Sequence, residues 1–449
     1  MFFLKNNFLK KNMVFASIVF TAGIFFVSCA SGNEVSGLAA SASYEDDAAF
    51  SSLVSRRYKA INISDFSDGF NHARYAYENS IPPWKLYDED QILGFAENMI
   101  YLQNPDGGWA KNLDFQREYS LSELKTIQEK NKSIKPVTYM LKTESAGSTM
   151  DNGNIHSQIK YLCQVYSQVK NDSLVDSGRY LECAERALEW ILNAQHPVSG
   201  GFTGADVYGI TYNDNVMTNA LALLRDISNG KDYFSVFSND MRKKAEAAYK
   251  KGIDCILKTQ IIVTLDDGTK LLTAWCQQHS HETLKPIWAR EFEPPSICSA
   301  ESFKVASLLM QIKNPSDKVK NSITAACEFF DRDDIRIHGR KIVTKSISPV
   351  TLNGHFYTTE RNLGFDQSAS DLWARFYALD ASFDVVTGAR KPIQGTYPHV
   401  LSPVWCDRGC KYVEDFNELS LERRNGYAYV NSNGTKFLKS YEKWKLQNL

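Results

Sequence analysis

The sequence has no excess of positive charge: 51 Lys and Arg stand against 52 Asp and Glu over 449 residues. Residues 1–28 hold Lys5, Lys10 and Lys11 and no acid, so the remaining chain carries 48 basic and 52 acidic side chains, a net −4. A field-driven nucleic-acid binder, which gains affinity by releasing counterions onto a positive face, is disfavoured, and no nucleic-acid partner is expected. A local basic pocket stays open. The apolar run Met13–Val27 is too short to span a bilayer comfortably. No Cys-x-x-Cys spacing and no helical His-x-x-x-His pair occur, which leaves His279-Ser280-His281 as a faint zinc signal. Charged residues make up 23%, too few for a coiled coil, and hydrophobic ones 43%, too many for disorder. There is no strand-helix-strand rhythm, so a parallel sheet is not expected either.

What is present begins with a leader. Lysines, then an apolar run, then Ser28-Cys29 form secretory architecture that resembles a bacterial lipobox. The expectation is a lipoprotein signal peptide at 1–28, a lipid anchor on Cys29, a flexible tether at 29–43, and a catalytic domain at 44–449, exported and facing the periplasm or cell surface. Eight more cysteines lie beyond Cys29. Cys406 and Cys410 are the most plausible local bridge, and buried thiols are the plain reading of the rest.

The chain also repeats itself. Residues 95–109 read FAENMIYLQNPDGGW and residues 187–202 read ALEWILNAQHPVSGGF, each a helix ending in Gln, one residue, Pro, then a Gly-Gly-aromatic turn. Gln103 and Gln195 are 92 positions apart, and GIDCILKTQ supplies a third helix ending at Gln260. Periods so long and unequal do not make a solenoid. They fit helical hairpins around a ring, each presenting its turn toward one mouth. Further helices are expected after Asp88, after the capping box Ser120-x-x-Glu123, before VMTNALALLRDI, from Asp240 to Thr259, and over 299–311, 316–330 and 369–379. The fold class is mainly α, one toroid of helical pairs with a few short strands.

Four clusters stand beside turns or helix starts: Gly107-Gly108-Trp109-Ala110-Lys111-Asn112, Thr149-Met150-Asp151-Asn152-Gly153, Thr211-Tyr212-Asn213-Asp214-Asn215, and the arginines Arg290, Arg361, Arg375, Arg423 and Arg424. Singly, each has an ordinary reading, since Asp and Asn at helix starts usually cap them and lone arginines usually make surface pairs. In combination they make a different site. Carboxylate and amide oxygens suit Ca²⁺, and several guanidinium groups clamp carboxylates bidentately. Such a mixture suits a polyanion rich in carboxylates.

Six segments, NPDGGWAKN, STMDNGN, GITYNDNVMTNAL, WCQQHSHETLKPIWAREFEPPSICSAES, LWARFY and LERRNGYAY, resemble in order the family 10 polysaccharide lyases, which are pectate lyases. The resemblance implies an (α/α)3 toroid that cleaves polygalacturonate by Ca²⁺-assisted β-elimination. It implies that Asp151, Asn152 and Asp214 hold Ca²⁺, that Arg290 is the base taking the C5 proton, and that Arg361, Arg375, Lys111 and Trp109 bind substrate. A guanidinium is almost wholly protonated near neutrality, with a free-base fraction on the order of one in ten thousand at pH 8, so an alkaline optimum is expected. A monomer is expected. Two alternatives stand beside this reading: a glycoside hydrolase using Asp151 and Asp214 as its acid pair, and a surface lipoprotein that captures pectic glycans without cutting them.

Overall fold

A computed structural model describes residues 46–78, 81–134, 147–204, 207–353 and 355–449. The expected leader, Cys29 and the tether at 29–43 lie outside the described residues. From Asp47 to Leu449 the chain forms one compact unit.

A first helix, α1, covers 46–54. It is followed by α2 (Ser67–Arg74), α3 (Ile92–Leu102), α4 (Leu121–Asn131), α5 (His156–Val169), α6 (Gly178–Ala194), α7 (Val216–Ser228), α8 (Asn239–Thr259), α9 (Ser299–Leu309), α10 (Asp317–Asp331), α11 (Leu421–Gly426) and α12 (Asn433–Asn448). Helix α5 packs on α6, α7 on α8 and α9 on α10, giving three hairpins. The first helices of these hairpins touch in the series α5, α7, α9, which α3 extends by packing on α5, and the second helices touch in the series α6, α8, α10. The result is two helical layers, the hairpin arrangement expected from the repeats and the (α/α)3 class implied by the resemblance.

The sequence explains which helix lies in which layer. In α3 nearly every residue is buried, including Ile92, Leu93, Phe95, Met99 and Leu102, as befits an inner helix, and its buried polar residues Glu97 and Asn98 are partnered by Tyr180 Oη and Phe115 O. In α8 the buried residues Met241, Ala245, Ala248, Gly252, Ile256 and Thr259 recur every three or four positions. Its outer face carries the ion pairs Lys244–Asp240, Lys250–Glu246 and Lys258–Asp254. Each exposed pair contributes only about 0.3–0.5 kcal/mol. One buried Ile or Met contributes about 1.5–3 kcal/mol, so packing rather than charge fixes the helix in place.

The repeated glutamine has a structural job. Gln103 Nε2 donates to Gly107 O at 2.8 Å and to Cys183 O of α6 at 2.9 Å. Gln195 does the same with Gly200 O and Ala248 O of α8, and Gln260 with Thr273 O and Ser322 O of α10. Each glutamine ends one helix, braces the adjoining loop, and ties it to the second helix of the next pair. The loop glycine lies against that same helix: a Cβ on Gly107 would stand 2.5 Å from Arg186 O, and one on Gly200 2.6 Å from Lys251 O. These contacts hold the turns in register at one end of the helical layers.

Two expectations are corrected. Residues 369–379 are not a helix but two short strands, Leu372–Ala374 and Phe376–Tyr377. Trp373 lies opposite Asn431 and Arg336, and Phe376 opposite Cys298, so cross-strand partners supplied from distant segments outweigh the local helical pattern. Cys406 and Cys410 form no bridge; all eight described cysteines are buried thiols. Cys406 sits in a strand opposite Tyr412, while Cys410 takes a left-handed backbone (φ 56°) and donates its N–H to Glu291 O. The longest β-element is a mostly exposed hairpin, Arg340–Leu352 with His355–Phe365.

Candidate active site

The turn after α3 is knitted to the turn before α5. Asn154 Nδ2 donates to Trp109 O and Thr149 O, both at 2.7 Å, and Asn152 Nδ2 donates to Asn112 Oδ1 at 2.8 Å. Lys111 Nζ meets Asp151 Oδ2 at 2.7 Å. The first two sequence clusters are therefore one structure. Trp109 is the exception to its expected role: it is 0% exposed, and its Nε1 donates to Met99 O. An indole sealed in the core has no face to offer a sugar, and Trp109 is a packing residue.

The short turn Asp151–Gly153 packs on a second, Asn213–Asn215, at the start of α7. Asn152, Asp214 and Asn215 all take left-handed backbone (φ 53°, 50° and 60°), and so does the β-branched Ile155 (φ 67°). Asn and Asp tolerate this region and Ile does not, so strain is concentrated around the two acids. The carboxyl of Asp214 opens toward solvent but is crowded by protein. Desolvation, then the charge and hydrogen bond of Asp151, push it up to about 7 against the opposing pull of Arg290 and Arg375.

Arg375 stands between two strands, its N–H donating to Tyr429 O and its carbonyl accepting from Ser299 N at the start of α9. Its guanidinium pairs with Glu301, donates to Asn213 Oδ1 at 3.2 Å, and lies 4.5 Å from the centre of the Tyr427 ring. Burial opposes the charge, but Glu301, Tyr427, Cys298 and Glu293 together outweigh it and raise the pKa well above the ordinary arginine value. The contact with Asn213 joins the acidic turns to the arginine side of the cleft.

Arg290 sits in a tight turn closed by Ala289 N–H to Glu293 O and Glu293 N–H to Arg290 O, and Pro294-Pro295 stiffen the chain just beyond it. Its Nε and Nη2 grip Glu293 at 2.7 and 2.5 Å. Glu293 is 2% exposed and also accepts from Gln277 Nε2 and Tyr427 Oη, both at 2.8 Å. Burial pushes its carboxyl up, but Arg290 and these donors win and hold it at about 2. Around the same rings, Arg290, Arg408 and Arg423 lie 5.0, 5.3 and 4.1 Å from the centre of Phe292.

The structure thus brings together Lys111, Asp151, Asn152, Asp214, Arg290 and Arg375. Arg361 stands apart on the long hairpin, where its carbonyl accepts from Arg424 Nη1. Four participants were missed in the sequence. Glu293 had a signal, an acid three positions after Arg290 and before Pro-Pro; Glu301, Tyr427 and Arg408 had none. His279 accepts from Cys276 N–H and bonds Leu284 O, so the faint zinc signal is a loop brace.

Two interlocked acidic turns facing an arginine array within stacked helical hairpins define a polysaccharide lyase of the helical type. The chain belongs to the pectic acid lyase family, whose sequence pattern matches residues 103–438, and it is a pectate lyase. Two solved structures share its fold. The family 10 polysaccharide lyase from Cellvibrio cellulosa superposes with a TM-score of 0.55 at 22% identity, over 86% of this chain and 99% of that one. A point mutant of the same lyase, in complex with trigalacturonic acid, gives a TM-score of 0.54 at the same identity and coverage. No curated protein matches the chain at a significant level.

Proposed function

We propose that this protein cleaves polygalacturonate by Ca²⁺-dependent β-elimination, with Arg290 as the base. The observation that carries the reading is the packing of the Asp151 turn on the Asp214 turn, with Arg290 and Arg375 close enough to act on the Asp214 carboxyl. Two carboxyl groups at one spot repel, and a divalent cation is what such a pair accommodates. Among the described residues no three His, Cys, Asp or Glu side chains gather as a metal cluster. Asp151, Asp214 and the amide oxygen of Asn152 are hard donors that suit Ca²⁺, and too few to fill its six to eight positions. Water and a uronate carboxylate would supply the rest.

When bound, Ca²⁺ would withdraw charge from that carboxylate and make the adjacent C–H more acidic. Lys111 offsets the charge of Asp151, and Arg375, fixed by Glu301, presents a cation to the uronate. The Arg290 guanidine takes the C5 proton, the electron pair forms the C4=C5 double bond, and the C4–O bond breaks with its electrons leaving on oxygen. Glu293 fixes the orientation of Arg290 but also favours its charged form, so the reactive free base is scarce and grows roughly tenfold per pH unit. An alkaline optimum is the consequence.

The hydrolase alternative needs two acids separated by about 5–9.5 Å to flank a bond or a water. Asp151 and Asp214 sit on two short turns packed against each other, and Asp151 is held in an ion pair by Lys111, an arrangement suited to sharing a cation rather than to an acid and a base on opposite sides of a bond. The test is incubation with polygalacturonate with and without EDTA. Ultraviolet-absorbing unsaturated product that EDTA abolishes is expected; activity indifferent to EDTA would overturn the metal role.

A further inference from the structure

Resting on that reading, we propose that the tip of the long hairpin and Tyr75 form an aromatic strap that binds one further uronate ring of the polymer, outside the catalytic centre. The strap is a row of three rings. Tyr75, the residue that ends α2, donates to or accepts from His355 Nδ1 through its Oη at 2.9 Å, with ring centres 6.0 Å apart. His355 lies 6.4 Å from Tyr357, two positions along the same strand and therefore on the same face.

The row joins the two sides of the cleft. Helix α2 packs on the turn that carries Asp151, so Tyr75 belongs to the acidic side. Tyr357 stands beside Gly426 of α11 and within the field of Glu422, Arg423 and Arg408, so it belongs to the arginine side. The tip is held there by two bonds, Asn353 Nδ2 to Glu422 Oε2 at 2.5 Å and Asn425 Nδ2 to Thr359 O at 2.6 Å.

The exposure of the row calls for a ligand. Tyr75 is 62% exposed and His355 is exposed too, although both are ordered by contacts across 280 residues of sequence. Ordered, solvent-facing rings are surfaces for the C–H faces of a sugar. The charges beside them are three arginines against one acid: Arg361 shares the strand face of Tyr357 by alternation, and Arg408 and Arg423, both paired with Glu422, act on its hydroxyl. On this proposal a polygalacturonate chain occupies the catalytic centre and this row together, and a trimer occupies the centre alone.

The experiment compares wild type, Tyr75→Ala and Tyr75→Phe on polygalacturonate and on trigalacturonate, with a thermal melt to check folding. The alanine variant is expected to raise KM for the polymer roughly three- to tenfold, leaving kcat/KM for the trimer unchanged. Tyr75→Phe, which keeps the ring and loses only the hydroxyl contact, is expected to restore the polymer KM. An unchanged polymer KM in Tyr75→Ala, or an equal loss on both substrates, overturns the strap while the lyase reading stands. A wild type that yields no unsaturated product from either substrate overturns the reading, and the strap with it.

Discussion

Glu293 decides what Arg290 can do. A guanidinium held at two nitrogens by a buried carboxylate cannot swing, and that fixity is what a proton abstraction at a defined carbon requires. Replacing Glu293 with Gln keeps the volume but removes the charge and one arm of the grip. We expect kcat on polygalacturonate to fall roughly 10- to 100-fold with KM nearly unchanged, because the loss is one of geometry at the reacting atom. A loss confined to KM would place Arg290 in binding rather than in chemistry. The same residue shows what a sequence conceals: Arg290 and the two aspartates were legible from their motifs, while the acid that positions Arg290 looked like one more polar residue before a proline pair. Trp109 failed for the opposite reason. The glycines before it marked a turn beside which a flat ring could meet a sugar, yet Asn154 ties that turn's backbone inward and the indole is sealed beneath α3.

At the scale of elements, the helix-Gln-Gly repeat was readable because it is local, and its purpose was not, because the bonds of each glutamine reach 53 to 80 positions along the chain. The LWARFY segment inverted that balance: its helical spacing is local, and the strands that capture it arrive from residues 297–298 and 430–431. The loop glycines make the dependence measurable. Gly200 has φ +77° and Lys251 O where a Cβ would go; Gly268 has φ +82° and nothing within 4 Å. Gly268→Ala should cost only the left-handed strain, about 1 kcal/mol. Gly200→Ala adds a clash with backbone that cannot yield, and we expect a loss of at least about 2 kcal/mol. Urea unfolding of both variants checks this, and equal losses would remove the loop-to-helix contact from the account.

For the molecule as a whole, acid is the direction of weakness. Burial pulls His156 and His279 down to about 4, so between there and about 6.5 each takes up a proton only on unfolding. Glu293, held at about 2, behaves the same way between about 4.5 and 2: the unfolded chain binds the proton and the folded one does not. Both effects carry the same sign. Through these three groups stability is expected to fall as pH drops, first across the histidine window and then across that of Glu293, while Asp214, raised to about 7 in the folded state, offsets part of the fall between about 7 and 3.8. Thermal melts across pH 3–9 that instead peak near pH 4 would contradict this.

The central claim joins Arg290 to an elimination at a metal-neutralised uronate, and one measurement addresses both. Purified wild type and Arg290→Ala are incubated with polygalacturonate and Ca²⁺, and ultraviolet absorbance of the unsaturated uronate is tracked over time. The wild type should generate the absorbance steadily, faster as the pH is raised, and Arg290→Ala should fall by at least about three orders of magnitude while still binding the polymer. Undiminished unsaturated product from Arg290→Ala, or reducing ends released by the wild type without the ultraviolet signal, would contradict the account.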